Sequence, residues 1–258
     1  MTYKIVFFDV DGTLTNYQDG SISTSTKKAI QMLKNSGIRV VAATGRPLSM
    51  CSELIDLGID TFITANGAYV KHQDQIIHKT PVTRAIVKEV NEFACENQHS
   101  LSFFTEVLSM NGIQNPTTLK ALNETLSLNE FPNTDEEIIN KEIYLMCLYA
   151  DKKSIEKYVH KFPHLKFKRW HPFILNVLEQ DVSKSIAVKK VLEHFNIHSS
   201  EAIAFGDGEN DIDMLELVGY GIAMGNGHES LKMVANFITK NSNEDGIEFA
   251  LQKLELIK

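Results

Sequence analysis

Short apolar segments alternate with helix-like segments near the start of this chain. The segments at 4–8 (KIVFF) and 38–43 (IRVVAA) are rich in β-branched and aromatic residues, and helical periodicity follows the first of them. A further helix is predicted over 47–57, because the proline at its start suits a first helical turn. The same rhythm returns from residue 183, with AIAFG at 202–206 as another buried strand. This alternation predicts an α/β fold, in which helices cover a doubly wound parallel sheet.

The middle of the chain differs in composition from its two ends. Between residues 68 and 205 it contains a single glycine, Gly112, whereas five of the six prolines lie there. Strand-like and helical segments alternate in this part as well. We therefore predict an inserted α+β domain over 82–180, and a core domain formed by 1–81 together with 181–258. The two hinges are predicted near Pro81 and near Gln180-Asp181.

Polar residues occur where these strands end and where one helix begins. The set consists of Asp9, Asp11, Thr44, Lys184, Asp207 and Asp211. Strand ends supply five of them, and Lys184 lies in the first turn of a helix. In an open α/β sheet, ligands bind beyond the carboxyl ends of the strands. We therefore expect these side chains to meet at one edge of the sheet.

The four aspartates of this set would crowd several negative charges into one crevice. Such repulsion raises the pKa values of the carboxyl groups or requires a cation. Mg²⁺ suits a site with a few carboxylates, retained waters and a phosphate oxygen as ligands. Zn²⁺ is not expected, because no histidine or cysteine cluster accompanies the acids. Gly206 and Gly208 would permit a dinucleotide-binding loop, but the third glycine is missing and acids occupy the place of the pyrophosphate.

The overall charge and the distribution of cysteines argue against several other functions. The net charge is −7, whereas nucleic-acid binding demands a basic surface. No apolar segment approaches the roughly 20 residues that span a bilayer. The apolar N-terminal segment is short and ends in acids, unlike a signal peptide. Three distant cysteines form no disulfide framework, which suits a reducing compartment. We expect a cytoplasmic protein that binds neither nucleic acids nor membranes.

Six segments of the chain resemble the haloacid dehalogenase (HAD) superfamily of phosphohydrolases, and within it the Cof-type branch. They are FDVDGTL (8–14), ATGRP (43–47), TANGAYV (64–70), SKSIAV (183–188), GDGENDIDML (206–215) and AMGNG (223–227). The resemblance covers essentially the whole chain, although the inserted domain matches by size and position more than by motif. It implies a Rossmann-like core with a C2-type cap domain of subclass IIB at the insertion. It also implies Mg²⁺-dependent hydrolysis of small phosphomonoesters.

The resemblance further implies roles for individual residues. Asp9 would be the nucleophile that forms an aspartyl phosphate, and Asp11 would be the general acid and base. Mg²⁺ would be held by Asp9, by Asp207 and by the main-chain carbonyl of Asp11. The residues expected to bind the phosphoryl group are Thr44, Gly45, Lys184 and Asn210. Those expected to support the site are Asp211, Arg46 and Thr13, the last of which would orient Asp11.

Two functional classes and several substrates are compatible with the sequence. The alternative to a phosphatase is a catalytically weak protein of the same fold that binds or senses a phosphorylated metabolite. A phosphomutase is disfavoured, because residues 14–37 hold only a turn and one helix where the mutases of this superfamily usually carry their cap. The substrate could be a sugar phosphate, a phosphorylated vitamin or a nucleotide. The chain is expected to be a monomer or a weak homodimer.

A locally basic segment at 160–171 (HKFPHLKFKRWH) allows two interpretations. In the first, its charged residues form the solvated face of a strand. In the second, Arg169, Trp170 or His171 contacts the leaving group of the substrate. The sequence alone favours the solvated face.

Overall fold

The computed structural model describes residues 3–179 and 181–258, which form two compact units. The first unit contains the chain up to Gly45, then Cys51–His78 and Ser183–Lys258; the second contains Arg46–Met50 and Lys79–Val182. The chain therefore passes between the units four times. The hinge predicted near Pro81 is close to the passage after His78. The other predicted hinge includes Gln180, which lies outside the described residues.

The described residues form thirteen strands, which belong to two sheets. In chain order the strands are β1 (Ile5–Asp9), β2 (Arg39–Ala43), β3 (Thr61–Thr64), β4 (Tyr69–His72), β5 (Gln75–Lys79), β6 (Ser100–Phe104), β7 (Leu108–Met110), β8 (Leu145–Tyr149), β9 (Lys166–His171), β10 (Ile174–Leu178), β11 (Ala202–Gly206), β12 (Tyr220–Ala223) and β13 (Phe237–Ile238).

The same residues form nine α-helices and several shorter helical turns. The α-helices are α1 (Thr24–Asn35), α2 (Ser52–Asp56), α3 (Arg84–Glu96), α4 (Pro116–Leu126), α5 (Ile155–Lys161), α6 (Lys184–Phe195), α7 (Ile212–Leu217), α8 (Glu229–Val234) and α9 (Gly246–Lys253). The short turns are Val10–Leu14, Leu48–Met50, Ala65–Gly67, Ile138–Asn140, Ser199–Glu201, Glu209–Asp211 and Ser242–Glu244. None of the helices in the described parts of the chain combines the length and the hydrophobicity that crossing a bilayer requires.

The first unit is built on an eight-stranded sheet with the order β13-β12-β11-β1-β2-β3-β4-β5. The strands from β13 to β3 in this order pair in parallel, and β4 runs antiparallel to β3. The chain builds outward from β1 to β3 on one side and from β11 to β13 on the other. This arrangement confirms the predicted doubly wound, Rossmann-like α/β fold. The strand order reverses between β1 and β11, where such folds form a ligand-binding crevice.

The packing of α6 determines where its first residue lies. The helix begins after Ser183, whose hydroxyl accepts a hydrogen bond from the main-chain nitrogen of Ile186. Its apolar face is buried in the core of the first unit, and burying a valine or leucine side chain contributes about 1.5–3 kcal/mol. That packing anchors the N-terminal end of the helix, and with it Lys184. The buried apolar residues of α6 are Ala187, Val188, Val191 and Leu192.

The second unit contains an antiparallel five-stranded sheet with the order β7-β6-β8-β10-β9. Side chains alternate between the two faces of a strand. Every second residue of the central strands is buried with the apolar residues of α3 and α5, as Leu101 and Phe103 of β6 illustrate. This unit therefore has its own hydrophobic core and combines an antiparallel sheet with α-helices.

The segment Arg46–Met50 belongs to the second unit, although the chain on both sides of it belongs to the first. The main-chain nitrogen of Ser49 donates a hydrogen bond of 2.8 Å to the carbonyl oxygen of Glu106. The single helix predicted over 47–57 is therefore wrong. The structure has a short turn at Leu48–Met50 and the separate helix α2, because the two pieces pack in different units.

The basic segment at 160–171 is tied to its own unit by hydrogen bonds. The two terminal nitrogens of Arg169 lie 3.0 and 3.1 Å from the carbonyl oxygen of Ala150. Trp170 donates from Nε1 to Asn176 Oδ1 at 2.8 Å, and His171 Nε2 lies 3.1 Å from a carboxylate oxygen of α4. Arg169 thus holds the main chain of the second unit together, which gives it a structural function.

Candidate active site

Asp9 is the last residue of β1, and the chain turns sharply after it. Its side chain is buried, with 6% of the residue exposed. The turn at Val10–Leu14 contains Gly12 with φ of +83°, a left-handed conformation that glycine adopts without steric cost. A Cβ atom on Gly12 would clash with Asp207 Oδ2. Glycine therefore lets the loops after β1 and β11 approach each other closely.

Lys184 joins two buried carboxylates. Its Nζ lies 2.5 Å from Asp9 Oδ1 and 2.6 Å from Asp211 Oδ1, and its side chain has no exposed surface. Burial by itself would lower the pKa of Lys184, but the neighbouring Asp211 and Asp9 carboxylates raise this pKa above its ordinary value. Lys184 is therefore charged at neutral pH and forms a fixed cation beside Asp9.

Asp211 engages both of its carboxylate oxygens within the protein. Oδ1 faces Lys184, while Oδ2 accepts hydrogen bonds from the main-chain nitrogens of Asp207 at 3.1 Å and Gly208 at 2.9 Å. The residue is completely buried. Asp211 thus stabilises the loop after β11 and orients Lys184, and neither of its oxygens faces an open position.

Thr13 supports a different aspartate from the one that the sequence suggests. Its hydroxyl donates a hydrogen bond of 3.1 Å to Asp207 Oδ1, whereas the resemblance implied that it orients Asp11. Thr13 is buried and Asp11 is exposed. The buried hydroxyl therefore fixes the orientation of the Asp207 carboxylate across the crevice.

Three aspartates form a cluster that fits a metal ion. One carboxylate oxygen from each of Asp9, Asp207 and Asp211 lies within 4.8 Å of the others. Burial, followed by repulsion from Asp211, raises the pKa of Asp9 well above its usual range and the pKa of Asp207 to about 6. A cation relieves such repulsion, and an all-oxygen donor set suits a hard divalent ion. Since Asp211 is engaged elsewhere, Asp9 and Asp207 are the carboxylates that could bind it.

The predicted phosphate ligands other than Lys184 lie on loops at the ends of strands. Thr44 follows β2 and is almost completely buried, and Gly45 comes next in the chain. Asn210 belongs to the short turn after β11. Among the described residues that the sequence singled out for this site, only Arg46 lies in the second unit. There its Nη1 is 3.5 Å from the carbonyl oxygen of Met50.

Two asparagines contact this site that sequence reasoning did not assign to it. Asn226 donates from Nδ2 to the carbonyl oxygen of Gly12 at 2.8 Å and accepts from the main-chain nitrogen of Ser242. Asn66 accepts from Asn210 Nδ2 at 3.0 Å. Both belong to segments that resemble the Cof-type branch, TANGAYV and AMGNG. An asparagine next to a glycine just after a strand was the available signal.

Residues 6–251 match the model of the haloacid dehalogenase-like hydrolase family. The chain belongs to this family. It is 35% identical over 261 residues to "Putative phosphatase YkrA" of Bacillus subtilis, and the match covers 100% of both chains. It is 28% identical to the "5-amino-6-(5-phospho-D-ribitylamino)uracil phosphatase YitU" of the same organism, over 94% of each chain.

Comparison with solved structures leads to the same family. The HAD subclass IIB sugar phosphatase BT4131 superposes with a TM-score of 0.86 at 31% identity, over 98% of this chain and all of that one. Together, these matches confirm three predictions from the sequence: the HAD superfamily, its Cof-type branch, and the enzyme class, which is a phosphatase.

Proposed function

We propose that this chain is a Mg²⁺-dependent phosphomonoesterase that hydrolyses small phosphorylated metabolites through an aspartyl phosphate on Asp9. The observation that carries the proposal is the environment of Asp9. It ends β1 beside the reversal of strand order, and Lys184 Nζ lies 2.5 Å from its Oδ1. A carboxylate can attack phosphorus directly, and a fixed ammonium group beside it attracts the phosphoryl oxygens.

Mg²⁺ would be held by the carboxylates of Asp9 and Asp207 and by the main-chain carbonyl of Asp11, and when bound it supplies positive charge that polarises the phosphoryl group. Burial and neighbouring acids raise the pKa values of Asp9 and Asp207. A cation between the two carboxylates would keep both ionised. A bound cation would thereby favour Asp9 as the nucleophile, because only the ionised form attacks.

Two half-reactions follow from these assignments. In the first, an Asp9 carboxylate oxygen forms a bond to phosphorus, the ester P–O bond breaks, and Asp11 donates a proton to the leaving oxygen. In the second, a water molecule attacks the aspartyl phosphate while Asp11 accepts one of its protons. Inorganic phosphate leaves, and the Asp9 carboxylate is restored. The exposed position of Asp11 leaves it accessible to both the leaving group and water.

The remaining site residues would hold the phosphoryl group or keep its ligands in place. Thr44, Gly45 and Asn210 would donate hydrogen bonds to the phosphoryl oxygens, together with Lys184. Arg46, the next residue in the chain, is proposed as a further supporting residue. Asp211 accepts a hydrogen bond from Lys184 and would fix the position of its ammonium group. Thr13 donates a hydrogen bond to Asp207 and would fix the orientation of that carboxylate.

The second unit would serve as the cap domain, close to the predicted range 82–180, and would select the substrate. One relative is named a sugar phosphatase and another a phosphatase of a phosphoribitylaminouracil. We therefore include sugar phosphates and phosphorylated compounds with a pyrimidine ring among the proposed substrates, beside nucleotides. The proposal further includes a cytoplasmic monomer or weak homodimer, and the three free thiols agree with a reducing compartment.

The test is release of inorganic phosphate from a panel of phosphorylated metabolites, with Mg²⁺ and with EDTA. Asp9→Asn serves as the inactive enzyme. Asp56→Asn, at an exposed position of α2, serves as the matched control and should keep the wild-type rate. Turnover that requires Mg²⁺ and Asp9 supports the proposal. Binding of a phosphorylated metabolite without any turnover would instead identify a sensing protein.

A further inference from the structure

The loop after β3 has an unusual backbone conformation. Three consecutive residues have positive φ angles: Ala65 at 50°, Asn66 at 55° and Gly67 at 105°. Residues other than glycine pay a steric cost in this region, although asparagine pays less than most. Such conformations persist where the surrounding structure requires them, and they concentrate at ligand sites. The conformation of this loop therefore points to a functional role.

The backbone of this loop is bonded to the Thr44–Gly45 turn. The main-chain nitrogen of Asn66 donates a hydrogen bond of 3.0 Å to the carbonyl oxygen of Thr44. The main-chain nitrogen of Thr44 donates one of 2.8 Å to the carbonyl oxygen of Ile63. On its other side, a Cβ atom on Gly67 would clash with the carbonyl oxygen of Ser183, directly before Lys184. The left-handed loop thus packs between two elements that carry proposed phosphate ligands.

The side chain of Asn66 contacts a third element that carries a proposed phosphate ligand, the turn that contains Asn210. Its Oδ1 accepts a hydrogen bond of 3.0 Å from Asn210 Nδ2. Asn66 is buried, with 7% of the residue exposed. The donor atom of the same carboxamide is Asn66 Nδ2. This nitrogen lies next to Gly45, where an added Cβ would be 3.2 Å away. Because the amide NH₂ group carries two donor hydrogens, Asn66 Nδ2 could donate to a ligand oxygen beside Gly45.

We infer that Asn66 is a substrate-binding residue: its Nδ2 donates to a phosphoryl oxygen held at the Thr44–Gly45 turn, while its Oδ1 orients the carboxamide of Asn210 toward the same group. The inference rests on the proposed function. A negatively charged oxygen is the acceptor that best matches this donor, since hydrogen bonds to charged groups are the stronger ones. The left-handed backbone is what brings the side chain to this position.

The test compares Asn66→Gly and Asn66→Asp with a control, Gln73→Gly. Glycine keeps the left-handed conformation and the bond from the main-chain nitrogen to Thr44, and it removes only the carboxamide. Aspartate keeps an acceptor for Asn210 and replaces the donor by a negative charge. Gln73 also has a positive φ, of 50°, but lies in the turn between β4 and β5. Its change to glycine measures the backbone effect, apart from the loss of one exposed bond of 3.5 Å from Nε2 to Asp60.

Binding of inorganic phosphate in the presence of MgCl₂ is measured by titration calorimetry. KM and kcat are measured separately, with an ester that the wild type hydrolyses. Both Asn66 variants should bind phosphate about 10- to 100-fold more weakly. Their KM values should rise, and their thermal midpoints should be no lower than that of Gln73→Gly. Wild-type phosphate affinity in Asn66→Gly overturns the inference. Unchanged affinity in Asn66→Asp alone overturns the direct contact, since that variant keeps the bond to Asn210.

The outcomes for this inference and for the proposed function are distinguishable. If the wild type hydrolyses esters and Asn66→Gly binds phosphate equally well, the inference fails and the proposed function stands. If the wild type binds phosphate without hydrolysing any ester, and Asn66→Gly loses that binding, the proposed function fails and the binding role of Asn66 stands.

Discussion

Removing the charge of Lys184 should destabilise the first unit strongly. In Lys184→Met the carboxylates of Asp9 and Asp211 would remain buried without a counterion. Breaking a buried ion pair lowers the free energy of unfolding by about 3–5 kcal/mol. The oxygens of the two acids lie within 4.8 Å of each other, so their repulsion at an effective dielectric constant of about 20 is at least about 3.5 kcal/mol. We therefore expect a loss near 5 kcal/mol at pH 7.5.

The sign of the pH dependence follows from the same groups. The pKa of Asp9 is already raised in the folded protein, so its ionisation opposes folding above its unfolded-state pKa. Without Lys184 that pKa rises further, because the charge that lowers it is gone. Protonation of Asp9 then relieves the repulsion. The destabilisation of Lys184→Met should therefore decrease as the pH falls from 7.5 to 5.5.

The assay is urea unfolding in EDTA, followed by far-ultraviolet circular dichroism. Fluorescence of Trp170, the single tryptophan, follows the second unit separately. The matched control is Lys190→Met, because Lys190 is a half-buried lysine of α6 that pairs with Glu193 near the surface; it should change stability by less than about 0.5 kcal/mol. A loss under about 1 kcal/mol at pH 7.5 in Lys184→Met, or a larger loss at pH 5.5, would refute the electrostatic reasoning.

Three further results are expected at this site. Ca²⁺ in place of Mg²⁺ should inhibit turnover, because Ca²⁺ accepts more oxygen ligands in a looser arrangement and would misorient the Asp9 carboxylate; equal activity with both ions would contradict this. Turnover by Asp11→Asn should be slowed about 10²–10⁴-fold, and this variant should accumulate phosphoenzyme with p-nitrophenyl phosphate. Asp9→Asn should form no phosphoenzyme, and intact-protein mass spectrometry after acid quench measures the phosphoenzyme in the two variants. Gly12→Ala should lose turnover, because its Cβ would strike Asp207, whereas Gly20→Ala, with a similar φ but open space, should retain it; equal activity of the two variants would show that close approach is unimportant.

The proximity of the polar residues that follow the strands could be predicted from the sequence, because the carboxyl ends of parallel strands lie at one edge of the sheet. Asp9 and Asp207 meet across the crevice for this reason, since β1 pairs directly with β11. Lys184 could be anticipated for a similar reason, because its helix has a capping serine and an apolar face. These features depend on short-range periodicity and on the topology that such periodicity implies.

The hydrogen bonds that orient the site depend on contacts between distant residues. Asn66 is 144 positions from Asn210, and Gly12 is 214 positions from Asn226. No local pattern specifies which side chain such an asparagine meets. The partner of Thr13 was misjudged for the same reason, because a rotamer depends on the packed loop around it. Sequence patterns thus indicate which charged residues lie at the ends of strands, whereas the partners of the neutral side chains depend on how distant loops pack.

The assignment of Arg46–Met50 to the second unit has a consequence for exchanging domains between relatives. The second unit is assembled from two separate stretches of chain, and the bond between Ser49 and Glu106 joins them. A chimera that transplants only the long stretch, Lys79–Val182, would therefore combine it with a foreign short stretch. We therefore expect exchanged domains to pack best when both stretches come from the same parent, so that the second unit behaves as two coupled pieces of sequence.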